Sequence, residues 1–397
     1  MAVRQIKENI FAVGVNHWDR RMFDELIPLP DGTSYNSYLI FGSKKTALID
    51  TVDPAVIKEF LANLTEFKDL KIDYLVSQHA EQDHSGSIPF VLERFPKCKV
   101  VTNEKCKELL IEHLHIPEDR FIIVKDGEVL SLGDKSLKFI LTPWVHWPET
   151  MSTYLAEDRI IFTCDFLGSH YATNDLFVKD REFISKGAKR YYAEIMMPFR
   201  SFIKNNVKKL EEYDFSIIAP SHGPLYDEPN FIIDLYKAWS SEEVKNELLL
   251  LYVSMHGSTK IIVDRLFNDA VERGIKVISY NIASADIGEI AMSVVDAATI
   301  VFAMPTVLTG PHPLGAYVTI FVNAIKPKAK FMTAITSYGW GGQTISWIKN
   351  HVTNFKGEFL EPLEIKGLPD EEALKKVDTL ADRILDKHKS LGIFKEQ

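Results

Sequence analysis

The sequence predicts an α/β protein of two domains. Its 397 residues exceed what one hydrophobic core usually organises. The first half consists of short β-rich runs broken by turn residues, with helical stretches between them. From about residue 247 strands and helices alternate, the pattern of a parallel sheet covered on both faces. The expected domains are therefore 1–246 and 247–397. With 46% hydrophobic and 25% charged residues, each half can bury a core of its own.

In the first half, "TSYNSYLIFGSKKTALIDT" reads as two strands around a Gly-Ser turn. "DPAVIKEFLANLTEF" is apolar at helical spacing and opens on Asp-Pro, a helix start. "KIDYLVSQHA", "SLKFILTP", "RIIFTCDF" and "FSIIAPSHGPLY" are apolar runs of strand length. "DEPNFIIDLYKAWSSEEVKN" reads as a helix linking the halves. In the second half, "ELLLLYVSMHGSTKIIVDRLFNDAVERG" is strand, loop, helix, and "IKVISYNIAS", "ATIVFAMPT" and "AKFMTAITSYGWGG" supply further strands. The charges of "KPKAK" and "KEQ" read as solvated surface.

A net charge of −9 lacks the basic footprint of a nucleic-acid binder. Cys98, Cys106 and Cys164 form neither a disulfide framework nor a Cys-x-x-Cys pair. The opening stretch has no signal-peptide pattern, and no apolar run reaches membrane-span length. A cytoplasmic location with reduced thiols is expected.

Positions 79–84, "HAEQDH", crowd His79, Glu81, Asp83 and His84 into six residues at the end of an expected strand. Residues two apart on extended backbone point the same way, so His79, Glu81 and Asp83 converge if the chain stays extended, and His84 serves a second, adjacent ion. His146, Asp165 and His222 follow other apolar strands. One histidine after a strand is ordinarily structural, and Asp165 alone is a plausible helix cap. Seven together are a ligand set. Four histidines and three carboxylates are too many for one tetrahedral zinc, and suit two ions sharing a carboxylate. Three carboxylates against two divalent ions leave about one positive charge, a tolerable burden in a buried site. Nitrogen-plus-carboxylate ligation suits non-haem iron, though ligand type alone leaves zinc and manganese open.

These residues resemble the metal site of the metallo-β-lactamase fold. Hydrolases of that fold usually carry His where this chain has Glu81. A carboxylate there, with "HWPETM" around His146, resembles the flavodiiron proteins. The resemblance implies a metallo-β-lactamase-like αββα sandwich followed by a flavodoxin-like doubly wound sheet. It implies one iron on His79, Glu81 and His146, another on Asp83, His84 and His222, and Asp165 bridging them. His170, in "LGSHYAT", sits where relatives often have a histidine near the iron and is a candidate beside the ligands, as are Tyr191 and Tyr192 for pocket shape or proton supply. His113, His115, His256 and His312 are read as structural by default.

"SMHGSTK" joins a strand to a helix. The hydroxyls of Ser254, Ser258 and Thr259, with Met255, His256 and Gly257 shaping the loop, suit a phosphate at a helix N-terminus. The spacing is neither a Walker loop nor a dinucleotide fingerprint, and neutral donors suit a monophosphate such as FMN. Two later loops leave strands at their carboxyl ends, where open α/β sheets bind ligands. One is "MPTVLTG", with Pro305, Thr306, Val307, Leu308, Thr309 and Gly310. The other is "SYGWGG", with Ser337, Tyr338, Gly339, Trp340, Gly341 and Gly342. Its glycines let backbone approach a flat ring, with Tyr338 or Trp340 to pack on it. The three loops in order resemble a flavodoxin-like domain, with His256 where many flavodoxins carry Thr.

The resemblance further implies four-electron reduction of O2 to water, reduction of NO to N2O, or both. It also implies a head-to-tail homodimer or a homotetramer. The sequence ends soon after the flavin domain without a fused rubredoxin module, so a separate rubredoxin-like electron donor is expected. The rival readings are a metal-hydroxide hydrolase and a non-catalytic electron shuttle. Glu81 and the flavin domain speak against the first, and the full ligand set against the second.

Overall fold

The computed structural model describes residues 3–394; the closing "KEQ" lies outside them. The chain divides into two compact units, residues 3–192 with 199–240, and residues 193–198 with 241–394. No helix among the described residues is long and apolar enough to cross a membrane.

The first unit is built on two sheets. One has seven strands, with Tyr38–Phe41, Thr46–Ile49, Tyr74–Val76 and Lys99–Thr102 adjacent in that order. The other has five, Val129–Ser131, Ser136–Leu141, Met151–Leu155, Ile160–Cys164 and Ile217–Pro220. Side chains alternate along a strand. Tyr38, Ile40, Ala47, Ile49 and Val76 therefore face one way and form a core with Phe139, Met151, Leu155, Ile160 and Phe162 of the second sheet. Leu39, Leu48 and Leu75 face the other way and pack against Phe60, Val91, Cys106 and Leu110 of the helices Ile57–Thr65, Ile88–Arg94 and Glu104–Leu114.

Parallel pairing aligns strand ends. Thr46–Ile49 runs parallel to Tyr74–Val76, and Ile160–Cys164 parallel to Ile217–Pro220. Ile160–Cys164 and Ile217–Pro220 read as apolar runs because they are buried throughout, and the other two are buried except at their first residue. The polar residues just beyond their carboxyl ends are thereby gathered.

The second unit has a parallel sheet with Lys276–Asn281, Lys245–Tyr252, Ala297–Val307 and Phe331–Tyr338 adjacent in that order, extended by Glu358–Phe359 and Leu363–Lys366 on the outer side. The first strand in sequence lies between the second and third, so the strand order reverses there. That reversal opens a crevice at the carboxyl ends of the strands. One expectation for this unit fails. Within "KPKAK", Lys328 is only 4% exposed. This segment runs directly into the buried strand Phe331–Tyr338, and a lysine stem is apolar enough to be covered there.

Candidate metal centre and flavin pocket

The seven residues singled out as ligands come together in the first unit. His79 lies three residues past Tyr74–Val76, Asp165 directly after Ile160–Cys164, and His222 two residues past Ile217–Pro220. His146 lies on the loop between Ser136–Leu141 and Met151–Leu155. One local expectation is corrected. The backbone is not extended through position 84, because Gln82–Ser85 is a short helical turn with Glu81 as its N-cap. The turn, rather than strand alternation, sends Asp83 and His84 to one group of ligands and Glu81 to another.

The ligand atoms form two groups joined by one carboxylate. Nε2 of His79 and Nε2 of His146 each lie 3.1 Å from Glu81 Oε2 and 3.4 Å from Asp165 Oδ2. Nε2 of His84 lies 3.2 Å from Asp83 Oδ1 and 2.9 Å from Asp165 Oδ1. Nε2 of His222 lies 3.2 Å from Asp83 Oδ2 and from Asp165 Oδ1. Donor atoms around one ion at about 2.0–2.2 Å are separated by such distances. Both carboxylate oxygens of Asp83 and Asp165, and both ring nitrogens of His84, are buried with no hydrogen-bond partner. Close approach without hydrogen-bond geometry means these atoms aim at shared points rather than at each other. Buried polar groups left in that state are costly, and cations at those points satisfy them. The donor set therefore fits two metal ions.

The electrostatics agree. Burial alone lowers an imidazole pKa, yet here it is outweighed by the carboxylates. The close carboxylates of Asp165 and Glu81 raise His146 to about 9, and those of Asp165 and Asp83 raise His222 to about 10. Burial likewise disfavours ionised Asp165, but His84 and the other imidazoles hold it well below the usual carboxylate range. The clustered carboxylates thus make a site that favours positive charge.

His170 is not among the converging ligand groups. Its ring lies 4.6 Å from His222, 4.9 Å from Tyr191 and 4.9 Å from Phe23, between ring centroids. Nδ1 meets the Thr33 hydroxyl at 2.9 Å, while Nε2 is buried without a partner. Burial and the neighbouring His222 push its pKa well down, so it stays a neutral imidazole. Tyr191 borders the site, its ring 5.9 Å from His222. Tyr192 turns instead to Tyr236 and Trp239, in the core. Cys164 is buried, with a thiol pKa raised well above the usual value by burial.

In the second unit the three loops expected to hold a flavin meet around a pocket of about 290 Å³. Ser254, Met255, His256, Ser258 and Thr259 line it from the first loop, Pro305 and Thr306 from the second, and Ser337, Tyr338 and Gly339 from the third. No carboxylate lines it, and the 15-residue helix Ser258–Glu272 starts there. Hydroxyls at a helix N-terminus fit a phosphate monoester. Gly257, at φ +95°, makes the left-handed turn into that helix. Val307, Leu308, Thr309 and Gly310 form a hairpin outside the lining, with Val307 paired to Gly310. Trp340, Gly341 and Gly342 also lie outside it, and Trp340 is 76% exposed rather than in the core. Gly367, which the sequence reading missed, does line the pocket; its N–H donates to the Tyr338 carbonyl at 2.8 Å. It follows the edge strand Leu363–Lys366, so its signal is again a glycine past a strand end.

Comparison with known proteins places the chain. A family model described as ODP family beta lactamase matches residues 33–223. An anaerobic nitric oxide reductase flavorubredoxin from Pectobacterium carotovorum is 34% identical over 382 residues, 93% of this chain and 75% of that protein. The structure of the rubredoxin oxygen:oxidoreductase of Desulfovibrio gigas matches at TM-score 0.94 and 26% identity, covering 98% of this chain and 99% of that one. The flavodiiron protein of Giardia intestinalis matches at TM-score 0.89 and 25% identity, over 98% of both chains. With a lactamase-like sandwich, a parallel-sheet unit and relatives matched along nearly its whole length, this chain is an oxidoreductase that belongs to the flavodiiron protein family.

Proposed function

We propose that this chain reduces O2 to water, NO to N2O, or both, passing electrons from a rubredoxin-like donor through FMN to two irons. The observation that carries the reading is the divided carboxylate of Asp165, with one oxygen toward His79 and His146 and the other toward His84 and His222. In this reading His79, Glu81 and His146 hold one iron, and Asp83, His84 and His222 hold the other. The pocket of the second unit holds FMN, its phosphate at Ser254, Ser258 and Thr259. When bound, FMN relays electrons one or two at a time, and the iron pair supplies redox equivalents and open positions for a diatomic gas.

The chain's own residues orient and shelter that chemistry. Burial of His79, Asp83, His84, Asp165 and His222 keeps bulk water from competing for them, and His146 and Glu81 are only slightly exposed. His170 sets a neutral imidazole beside the ligands, its ring 4.6 Å from that of His222, without adding charge to the site. Tyr191 keeps its hydroxyl proton, because burial raises its pKa well above the usual value. Leu308, 88% exposed, and Trp340 stand on the loops around the flavin pocket, apolar groups that suit a covering partner chain and so support a homodimer. A cytoplasmic setting fits three free, buried cysteines.

The test is anaerobic. Purified protein is assayed for iron and flavin, reduced through a rubredoxin system, and presented with O2 and NO at parallel electrodes. Rapid consumption of either gas supports the reading, and the ratio ranks the substrates. Consumption of neither by iron- and flavin-loaded protein contradicts it.

A further inference from the structure

"HWPETM" carries His146 to the metal centre, but its Glu149 is not one of the seven ligands. Glu149 is fully buried, and Oε1 accepts hydrogen bonds from His79 Nδ1–H at 2.7 Å and from the Ala80 N–H at 3.1 Å. Its other oxygen makes no hydrogen bond among the described residues. The peptide around it is fastened as well. Asn103 Nδ2 donates to the Glu149 carbonyl at 2.6 Å, and the Met151 N–H donates to the Gln78 carbonyl at 3.0 Å. Glu149 thus ties the loop bearing His79 and Glu81 to the loop bearing His146, three ligands of one group.

Among the described residues, no carboxylate hydrogen-bonds the imidazoles of the other group from behind. His222 Nδ1–H donates to a neutral acceptor, the Ser34 carbonyl, at 2.6 Å. His84 Nδ1 is buried with no partner. Each group has one carboxylate of its own and one oxygen of Asp165, so the inner charge is balanced. The difference lies in the layer behind the ligands.

We propose that Glu149 is a positioning residue that fixes His79 with its proton on Nδ1, aims Nε2, and makes the ion at His79, Glu81 and His146 the more tightly held of the two. The inference rests on the two-metal reading above. A carboxylate accepting from a ligating imidazole restricts the ring and raises the basicity of its free nitrogen; losing such a partner typically weakens metal binding about 10–100-fold. Removing the Glu149 side chain also strands a buried His79 N–H.

The experiment uses the full chain in wild-type, Glu149→Gln and Glu149→Ala forms. Each is stripped of metal, titrated anaerobically with Fe(II), and examined by Mössbauer spectroscopy with 57Fe. Wild type is expected to bind two ions in two steps. In Glu149→Ala one step weakens by about 10–100-fold and one of two iron doublets changes, while the other doublet and the flavin content hold. Glu149→Gln, a neutral acceptor, falls between, with its change confined to the same ion. Equal loss of both ions, or no change at either in the Gln variant, overturns the proposal. If Glu149→Ala does not fold, the Gln variant decides by the same criterion. Wild type that fails to bind two ions overturns the two-metal reading itself, before any variant is measured.

Discussion

Asp165 Oδ1 lies 2.9 Å from His84 Nε2, while its Oδ2 is turned to the opposite pair of imidazoles. One buried side chain thus belongs to both halves of the candidate metal centre. Its position follows from its place directly after the buried strand Ile160–Cys164, where the backbone leaves the sheet.

Replacing Asp165 separates bridging from simple ligation. Asp165→Ala is expected to lower gas reduction by more than about a hundredfold, with FMN retained. Asp165→Asn keeps one oxygen and is expected to hold no more than one ion per chain. Gas-consumption assays with iron and flavin analysis of the two proteins check both; unchanged gas reduction in Asp165→Ala would show that the ligand set does not carry the reaction.

His222 depends on the glycine after it. Gly223 sits at φ +81°, and a Cβ there would come within 2.8 Å of the Ser169 carbonyl oxygen. Its N–H donates to Ser34 Oγ at 2.8 Å, and the Ser34 carbonyl accepts from His222. Gly223→Ala is expected to destabilise the protein by about 2 kcal/mol and to loosen the ion at Asp83, His84 and His222 first. Denaturant midpoints and metal titration report the two effects separately.

Gly342 does not line the proposed FMN pocket, but a Cβ there would run into the methyl of Thr306, which does. Thr306 is held in place by the hydroxyls of Thr336 at 3.1 Å and Thr344 at 2.8 Å, so it cannot yield freely. Gly342→Ala is expected to weaken FMN binding by about tenfold with iron content unchanged. Titration of flavin fluorescence measures it.

The second unit also carries a buried titratable group away from the pocket. His388 meets Thr299 Oγ1 at 2.8 Å through Nε2 and Asn246 Oδ1 at 2.8 Å through Nδ1, and burial lowers its pKa to about 4. The unfolded chain, near 6.5, therefore binds a proton that the folded chain refuses. Stability is full above about pH 6.5 and falls as pH drops toward 4, by about 3 kcal/mol from this group. The gap in stability between wild type and His388→Gln, measured by urea denaturation at pH 7 and pH 4.5, is expected to shift against wild type at the lower pH. An unchanged gap would contradict the assignment.

Much of the architecture was legible because buried parallel strands read as apolar runs, and the ligand residues stand just beyond them. "RIIFTCDF" and "FSIIAPSHG" place Asp165 and His222 by that rule alone. Short pieces were harder. The two-stranded pairing of Val15–His17 with Thr33–Tyr35 joins segments too short for periodicity, yet it positions Ser34 against His222. The turn Gln82–Ser85 is four residues long, below the length at which helical spacing shows. Glu149 looks in sequence like any carboxylate near a proline; its partner, His79, is 70 positions away. Trp340 reads as a ring to pack on a flat cofactor, but a glycine-rich turn carries no periodicity to orient it, and it stands exposed.

The most direct test of the central claim is Mössbauer and EPR spectroscopy of the intact protein loaded with 57Fe. A carboxylate-bridged pair predicts two irons per chain that are magnetically coupled, and predicts that coupling is lost in Asp165→Ala. One ion per chain, or two that behave independently in the wild type, would contradict the account.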